Sequence, residues 1–332
     1  MIVKKEWIIF IRDRKKPIPL QKLDASIPRL AVNADKLSYL RMEAAKMQKG
    51  YNGERKLDYH LRSLPDTFAV LNDVTLTIFG KKFQIDSLII SAYAIYTPEV
   101  KSFEGTVTFN TLLRQFIQNS GKKLQGYKYP ISQVETIHFH LLRWLQQRGL
   151  AGLPIYHFIA FSEQSTIINV QGDERALSNV VSYVDEIPVR VMKKDAEVAK
   201  ESASNNNLKN RVISTIMREC EEFDYDIFER FGFSLSDIQP GVHCPECGKL
   251  GMVRSHGKWH CLGCGAYSKD AHKKALYDYS LLFSPKITNE ECRKFLLLKS
   301  RFIARKMLQD SHFSLKNRSK VWINKNQLKN LI

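Results

Sequence analysis

The stretch FQIDSLII at positions 83–90 decides the fold of the first part of the chain. Its run of apolar and β-branched residues is typical of a buried strand, but it contains one carboxylate, Asp86. Burying an ionised carboxylate is costly unless a cation or hydrogen-bond donors compensate its charge. The sequence therefore predicts a core strand whose acidic residue has a partner.

The residues on either side of this strand indicate an α/β unit. The spacing of apolar positions predicts a helix, three strands, a second helix and a further strand. Their predicted ranges are 36–64 with a break near 50–53, then 67–79, 82–91 and 93–102, a helix opened by a capping box at Ser132 and Glu135, and 154–161.

Further charged residues lie where they can join Asp86. Glu99 and Lys101 are two residues apart, so a strand points both side chains to one face. Such a pair is weak evidence alone, because paired charges are ordinary on exposed sheets. Glu54 precedes Leu57 and Leu61 by three and seven residues, so it shares their core-facing side of the first helix. We therefore expect three carboxylates to meet beside a lysine.

This set of groups predicts a divalent metal site. Carboxylate oxygens at Asp86 and Glu99, with the main-chain carbonyl of Val100 and water, suit Mg²⁺ or Mn²⁺. Such an ion polarises a phosphoryl oxygen and lowers the pKa of an attacking water. Lys101 would hold or deprotonate that water and neutralise charge on phosphorus.

In their order along the chain, these residues resemble a known family. Gly53-Glu54, FQIDSLI at 83–89, EVKSFxG at 99–105 and Gln133 are similar to the nuclease-related domain, NERD, of the PD-(D/E)xK nuclease superfamily. The resemblance covers about 41–161. It implies a restriction-endonuclease-like core, which is a mixed sheet flanked by helices, and metal-dependent hydrolysis of DNA phosphodiester bonds.

The resemblance also implies a role for each site residue. Asp86 and Glu99 would carry the catalytic metal, and Glu54 would support it or a second ion. Lys101 would act on the water, and Gln133 would orient the substrate or active-site residues. The alternative is a non-catalytic DNA-binding or regulatory protein that keeps the nuclease fold as a scaffold.

Two positions depart from the superfamily pattern. Ile85 stands where the superfamily name has a proline, a common replacement. Pro98 directly precedes Glu99, and a proline removes a hydrogen-bond donor from what should be an internal strand. A bulge at Pro98 would still present Glu99 to the site.

A cysteine motif predicts a zinc ribbon further along the chain. Cys244 and Cys247 form one C-x-x-C pair and Cys261 and Cys264 form another, each followed by a glycine that lets the backbone turn. The residues between the pairs, 251–260, fit a short hairpin. Four thiolates complete a tetrahedron around zinc, so we expect a structural ion with no open position for catalysis.

The C-terminal segment is strongly basic. The chain has 51 lysines and arginines against 34 acidic residues, and positions 265–332 contain 15 against 5. This excess predicts a nucleic-acid partner, most simply DNA, which the zinc ribbon and the basic tail would bind. A capping box at Thr288 and Glu291 predicts a helix through Gln309 with Phe302 and Ile303 inward, and 314–325 alternates as a strand or wing would. A helical bundle is favoured over a winged helix.

These patterns together predict the domain organisation. We expect a nuclease-like core with an N-terminal extension at 1–193, a linker at 194–211, a helical connector at 212–240, the zinc ribbon at 241–267 and a basic, mainly helical segment at 268–332. Paired cysteines without a disulfide framework, and apolar runs too short for a membrane span, predict a soluble cytoplasmic protein with no membrane partner. Protein partners and oligomeric state are not predicted.

Overall fold

The strand expected at 83–90 is present in the computed structural model of the protein, which describes residues 9–316 and 320–324. The chain forms two units. One contains residues up to Lys16 together with Met47–Phe223, and the other contains Pro17–Lys46 and the residues from Asp224 onward.

The helices of the described residues are α1 (Ile18–Ser26), α2 (Ala34–Leu61), α3 (Pro130–Gln147), α4 (Glu174–Ser178), α5 (Ile187–Glu201), α6 (Asn206–Glu219), α7 (Ile227–Phe231), α8 (Ala271–Leu282), α9 (Asn289–Leu296) and α10 (Arg301–Asp310). The strands are β1 (Phe10–Arg12), β2 (Ala69–Ile78), β3 (Lys81–Ile90), β4 (Ile95–Lys101), β5 (Thr106–Asn110), β6 (Gln115–Asn119), β7 (Leu124–Tyr127), β8 (Ile155–Phe161), β9 (Ile167–Gln171), β10 (Val181–Tyr183), β11 (Val253–Ser255), β12 (Lys258–His260), β13 (Tyr267–Ser268), β14 (Lys286–Thr288), β15 (Phe313–Leu315) and β16 (Val321–Asn324). None of these helices has the length and apolar content needed to cross a lipid bilayer.

The first unit is built on a six-stranded mixed sheet of order β1-β2-β3-β4-β8-β10. β2, β3 and β4 are antiparallel neighbours, whereas β1, β8 and β10 join the sheet by parallel pairing. Side chains of α3 and α6 pack on one face, and those of α2 and α5 pack on the other. The expected mixed sheet flanked by helices is therefore confirmed.

A smaller sheet of order β7-β6-β5-β9 extends this unit. Its apolar residues Val107, Phe109 and Phe116 pack with Ile159 and Phe161 of β8. Burial of each large apolar side chain contributes roughly 1.5–3 kcal/mol. The aromatic cluster therefore fixes this sheet beside the end of β8.

The helix boundaries differ from the expectation at two places in this unit. α2 runs without the break expected near 50–53, because burial of Leu57 and Leu61 offsets the low helix propensity of the glycines. α3 begins at Pro130, and no capping box forms. Ser132 and Glu135 instead bind the side chain of Arg114, a partner distant in sequence.

The expected linker at 194–211 is largely helical, and so is the start of the expected connector. α5 and α6 cover most of 194–211, and their Val198 and Leu208 are buried. Between them, the side chain of Asn205 accepts a hydrogen bond from the backbone N–H of Leu208 and caps α6. The polar run is therefore a turn between two packed helices rather than a link between domains.

The second unit is organised around a buried arginine. The guanidinium of Arg29 lies 3.1 Å from a carboxylate oxygen of Asp278, donates to the carbonyl of Gly241 at 2.9 Å and stacks on the ring of Phe295. Its side chain is fully buried. Residues 17–46 therefore belong with the C-terminal half, and their assignment to the 1–193 core differs from the structure because this pairing spans 249 residues.

The segment after the cysteines is mainly helical, as expected, but it also contains a three-stranded sheet in the element order of a winged helix, so it is not a bundle of helices alone. The elements α8, β14, α9, α10, β15 and β16 follow in that order, and the strands form an antiparallel sheet of order β14-β16-β15. The bundle expectation failed because these strands are only three or four residues long, too short for a clear alternating pattern. Within 314–325, residues 317–319 and Lys325 lie outside the described residues.

The predicted capping box at Thr288 and Glu291 is confirmed, but the helix it opens ends early. Leu297 adopts a left-handed conformation with φ 57°, and Ser300 caps the next helix, α10. Phe302 and Ile303 were expected to point inward and are instead exposed, at 72% and 39%. The single expected helix is therefore two helices joined by a turn.

Candidate active site and cysteine centre

The candidate active site lies where β3 and β4 separate. The two strands pair only at Ile89 with Tyr96 and at Ile90 with Ile95. Beyond that point, the carboxylate of Asp86 accepts a hydrogen bond of 3.3 Å from the backbone N–H of Val100. A hydrogen bond to a side chain thus replaces a main-chain hydrogen bond between β3 and β4. The carboxylate of Asp86 lies in the gap between the two strands.

The separation of the strands also explains how Pro98 is tolerated. The N–H of Ile95 donates to the carbonyl of Pro154, on the β8 side. Because alternate residues of a strand face the same neighbour, the nitrogen of Pro98 faces β3, beyond the last pair of β3 with β4. The missing N–H of Pro98 therefore costs no hydrogen bond between strands. β4 pairs with β8 in regular register as far as Lys101, without the expected bulge.

The strands β2 and β3 are distorted at the same level of the sheet. Asp73, which lies opposite Asp86 between the paired residues, has φ 54°. The alternation of side chains between the two faces of the sheet shifts at this point, so Leu71 and Val74 both face the layer of α3 and α6. The side chains of β3 before and after Asp86 show the same shift. A left-handed non-glycine residue costs about 1–3 kcal/mol, and such strain is concentrated at functional sites.

A glycine allows α2 to approach the strands closely. A Cβ atom on Gly53 would lie 2.0 Å from the Oγ of Ser102 and 2.9 Å from the Oγ of Ser162. These two serines follow β4 and β8, and their hydroxyls are 2.8 Å apart. Only a glycine fits this contact without rearrangement, and the next residue is Glu54.

Glu99 and Lys101 form a close ion pair. The Nζ of Lys101 lies 2.6 Å from Oε1 of Glu99, and each side chain is 14% exposed. Burial and the nearby charge of Asp86 raise the pKa of Glu99 to about 7, although Lys101 opposes the shift. The carboxylate is therefore held in its charged form less firmly than an exposed glutamate would be.

The carboxyl group of Glu54 is perturbed in the same direction. Burial and the charge of Asp86 raise its pKa to about 8, although the charge of Arg14 opposes the shift. Asp86 is the largest charge effect on both Glu54 and Glu99. The three carboxylates therefore interact electrostatically, as the sequence predicts, and a cation among them would relieve their repulsion.

Arg14 is a site residue that the sequence reasoning missed. Its guanidinium lies 2.8 Å from Glu54, 2.7 Å from Asp73 and 2.8 Å from Asp58. It also donates to the backbone carbonyl of Asp86 at 2.9 Å, and its side chain is 2% exposed. Burial lowers the pKa of Arg14, but the hydrogen bond to Asp58 and the three carboxylates outweigh this effect and raise it overall. Arg14 thus remains charged and neutralises one side of the site.

Part of this signal was present in the sequence. Asp73 interrupts an apolar strand as Asp86 does, and Asp58 follows Glu54 by one helical turn. Arg14 had no such signal, because it lies in the basic run RDRKK and short basic runs are usually exposed.

Gln133 is not joined to the carboxylates. It lies in the first turn of α3, half-buried, and its side chain makes no hydrogen bond to another described residue. The N–H of Val100 binds Asp86, whereas the expected use of its carbonyl as a metal ligand stays a prediction. The catalytic roles of Glu54, Asp86, Glu99, Lys101 and Gln133 also stay predictions.

The four cysteines lie close enough together to share one metal ion. Within residues 9–316 and 320–324, they are the one group of three or more His, Cys, Asp or Glu side chains whose ligand atoms all lie within 4.8 Å of one another. The Sγ atoms are 3.7 Å apart for Cys244 and Cys264, and 3.6 Å apart for Cys247 and Cys261. A tetrahedron with zinc–sulfur bonds of about 2.3 Å has edges of about 3.8 Å, so the thiols fit zinc.

Local structure explains this cysteine arrangement. Gly248 and Gly265 have φ 72° and 75°, and their N–H groups donate to the carbonyls of Cys244 and Cys261 at 3.0 and 2.9 Å. The predicted hairpin is formed by β11 and β12, and Trp259 is buried beneath it. The expected two-knuckle ribbon is thus compatible with the structure.

Comparison with known proteins finds a similarity in the region that contains the carboxylates. Residues 49–162 match the nuclease-related domain, NERD, and they include Glu54, Asp86, Glu99, Lys101 and Gln133. An uncharacterised protein of Bacillus anthracis is 27% identical over 141 residues, which are 41% of this chain and 63% of that protein. The chain therefore spans less than two thirds of this relative. No solved structure matches the chain. Residues 49–162 thus resemble a nuclease-related domain, which suggests a function related to nucleic-acid cleavage.

Proposed function

We propose that this protein is a metal-dependent nuclease that hydrolyses DNA phosphodiester bonds. The observation that carries the proposal is the convergence of Glu54, Asp86 and Glu99, whose charges interact, beside Lys101 at the separated ends of β3 and β4. The match of residues 49–162 to a nuclease-related domain supports it independently.

Asp86 and Glu99 would bind Mg²⁺ or Mn²⁺, and Glu54 would support that ion or a second one. When bound, the ion supplies positive charge that polarises a phosphoryl oxygen and lowers the pKa of a coordinated water. The residues fit such an ion because burial and the charge of Asp86 raise the pKa of Glu54 to about 8 and that of Glu99 to about 7, and a bound cation would offset both effects.

Lys101 is suited to act on the attacking water and the phosphate. Its ammonium is nearly buried and is fixed 2.6 Å from Glu99, so its position relative to the ion would be set before DNA binds. A buried positive charge stabilises the additional negative charge of a pentavalent phosphorus more strongly than an exposed one would. Arg14 would be a positioning residue, because it binds Glu54, Asp58 and Asp73 on one guanidinium.

The cysteine centre would serve the structure of the second unit. Zn²⁺ bound by Cys244, Cys247, Cys261 and Cys264 would have no free coordination position, so it would not take part in hydrolysis. The basic residues that follow would bind the nucleic acid mainly through phosphates, with a strong dependence on salt.

The test is cleavage of linear, supercoiled and single-stranded DNA by the full chain with Mg²⁺ or Mn²⁺. We expect Glu99→Gln and Lys101→Met each to reduce the rate by about 10²–10⁴, the range for loss of a catalytic acid, base or charge. Lys194→Met and Glu197→Gln remove an exposed pair of the same residue types on α5 and should have no effect. Cleavage that survives either active-site change, or no cleavage under any condition, would contradict the proposal.

The second candidate is a non-catalytic DNA-binding protein that retains the nuclease fold. The ion pair of Arg14 with Glu54, at 2.8 Å, favours it, because that carboxylate already has a positively charged partner. Calorimetric titration with Mn²⁺ separates the two candidates. A heat of binding that disappears in Asp86→Asn supports the nuclease, whereas no binding by the wild-type protein together with tight DNA binding supports the scaffold.

A further inference from the structure

The winged-helix segment exposes one helix whose surface has the chemistry of a DNA-reading element. α9 and α10 are joined by the four residues 297–300, a length typical of helix-turn-helix units. Ala304, Met307 and Leu308 of α10 are buried, and Cys292 and Phe295 of α9 are buried as well. One side of α10 is thus fixed in the core, and the opposite side is exposed.

The exposed side of α10 has a regular pattern. Phe302, Arg305, Lys306 and Gln309 are exposed at the spacing i, i+3, i+4 and i+7, which forms one stripe along a helix. Phe302 is 72% exposed, and the guanidinium of the neighbouring Arg301 lies 5.1 Å from the centre of its ring. A large exposed aromatic residue among cations is costly to hydrate and is typical of a binding surface.

These residue types match the edges of base pairs. Arginine and lysine bind guanine, glutamine binds adenine, and phenylalanine contacts the methyl group of thymine. An α-helix with its side chains is about 10–12 Å in diameter, and the major groove of B-form DNA is about 12 Å wide, so the groove admits α10. Single-stranded nucleic acid offers no such groove.

The charge of this region favours a polyanion over a protein partner. Arg301, Arg305 and Lys306 are exposed, and none makes an ion pair within the described residues. Lys316 and Lys320 are exposed and lie next to the ends of the paired strands β15 and β16. A basic helix together with these lysines suits a groove bordered by phosphates.

We propose that α10 enters the major groove of double-stranded DNA and that Lys316 and Lys320, next to β15 and β16, contact the neighbouring phosphates. Arg301 would bind phosphate, and Phe302, Arg305, Lys306 and Gln309 would face the bases. This site is distinct from the carboxylates of the first unit, and the binding does not depend on cleavage.

The experiment measures duplex binding by fluorescence anisotropy between about 50 and 250 mM salt, a range that resolves the loss of single phosphate contacts. The zinc-loaded full chain carrying Glu99→Gln is used without added magnesium or manganese, so that DNA is not cut. The variant Arg301→Ala, Arg305→Ala, Lys306→Ala is compared with Lys81→Ala, Lys122→Ala, Lys123→Ala. The second set removes the same charge from exposed positions of the first unit.

We expect the α10 variant to lose at least about tenfold in affinity and to lower the slope of log K against log salt by about 2–3, whereas the control changes affinity less than about threefold. Selection from random duplexes should yield a preferred sequence, and Phe302→Ala or Gln309→Ala should change it while leaving the salt slope intact.

Equal losses in the two triple variants would overturn the proposal, because net charge rather than α10 would then determine binding. Equally tight binding of a single strand, with the same sensitivity to the α10 changes, would also overturn it. Circular dichroism of each variant controls for folding, and Arg301→Lys with Arg305→Lys retains the charge as a second control. Cleavage is measured separately with the wild-type chain, so failure of the two proposals can be distinguished. Cleavage without an effect of the α10 changes on binding would contradict only the role of α10, whereas binding that depends on α10 without cleavage would contradict only the nuclease.

Discussion

The two candidate metal centres of this protein differ in how close together their potential ligand atoms lie. The four thiols of the cysteine centre lie within 4.8 Å of one another, and all come from 21 consecutive positions, 244–264. The carboxylates of Glu54, Asp86 and Glu99 do not all lie that close to one another, and Glu54 and Glu99 are paired with Arg14 and Lys101, so this centre is open in comparison. Its residues come from three separated elements and from the N-terminal segment. A closed centre suits a structural ion, whereas an open one leaves room for substrate and water.

This difference also explains what the sequence could predict. The cysteine centre depends on two local turns whose glycines are visible in the sequence, so the grouping of the four cysteines and the hairpin were predicted residue by residue. The carboxylates were predicted because charges interrupt apolar runs and because the order of residues resembles a family. Arg14 was missed, since its contacts with Asp73 and Asp86 span 59 and 72 residues.

The same contrast applies to the fold. The strands β2, β3, β4 and β8 lie within two residues of their predicted ends, because each has a long apolar run. The errors occur where a distant partner decides the local structure. Arg114 removes the capping box at Ser132, and Arg29 assigns residues 17–46 to the second unit. Short strands such as β14 gave no periodic signal, so the winged helix was not favoured.

The largest effect should follow loss of the closed centre. Structural zinc contributes on the order of 10 kcal/mol of folding free energy in small zinc domains. We expect Cys261→Ser to abolish zinc binding and to make residues 241–268 sensitive to limited proteolysis. Cys220→Ser changes a half-buried cysteine outside the centre and should retain the wild-type zinc content. Full zinc content in Cys261→Ser would mean that other residues bind the ion.

Removing the central cation of the open site should have the next largest effect. Arg14→Ala leaves three carboxylates without their shared guanidinium, and loss of one partner of a buried ion pair costs about 3–5 kcal/mol. We expect urea denaturation to show a decrease of this size in the free energy of unfolding. Arg55→Ala, an exposed arginine on α2, should stay within about 0.5 kcal/mol of wild type. Similar values for the two variants would exclude a central role of Arg14.

The open site should also make stability depend on pH. Glu54 and Glu99 have folded-state pKa values raised to about 8 and about 7, so the folded protein retains protons that the unfolded chain releases above about pH 4.5. Stability of the metal-free protein should therefore fall as pH rises from about 5 to 8. Thermal melts of Glu54→Gln should show a weaker fall, and saturating Mg²⁺ should also weaken it. A wild-type melting temperature that rises over this range would contradict the assignment.

The smallest effects concern two glycines of α2. Gly53→Ala introduces a Cβ that overlaps the hydroxyl of Ser102, and overpacking of this kind costs about 1–3 kcal/mol. A Cβ on Gly50 would meet no atom within 4 Å, so Gly50→Ala should stabilise the helix by about 0.5–1 kcal/mol. Denaturant unfolding measures both changes. Effects of equal sign in the two variants would show that the close approach at Gly53 is not required.

The position of a bound Mn²⁺ ion tests the central claim most directly. Crystals of the zinc-loaded protein grown with Mn²⁺ would be measured by anomalous diffraction at the manganese edge. We predict one manganese peak in contact with carboxylate oxygens of Asp86 and Glu99, which is lost in Asp86→Asn. A protein that binds no manganese at these carboxylates, or binds it equally well in Asp86→Asn, would contradict the proposal that the separated ends of β3 and β4 form a metal-dependent active site.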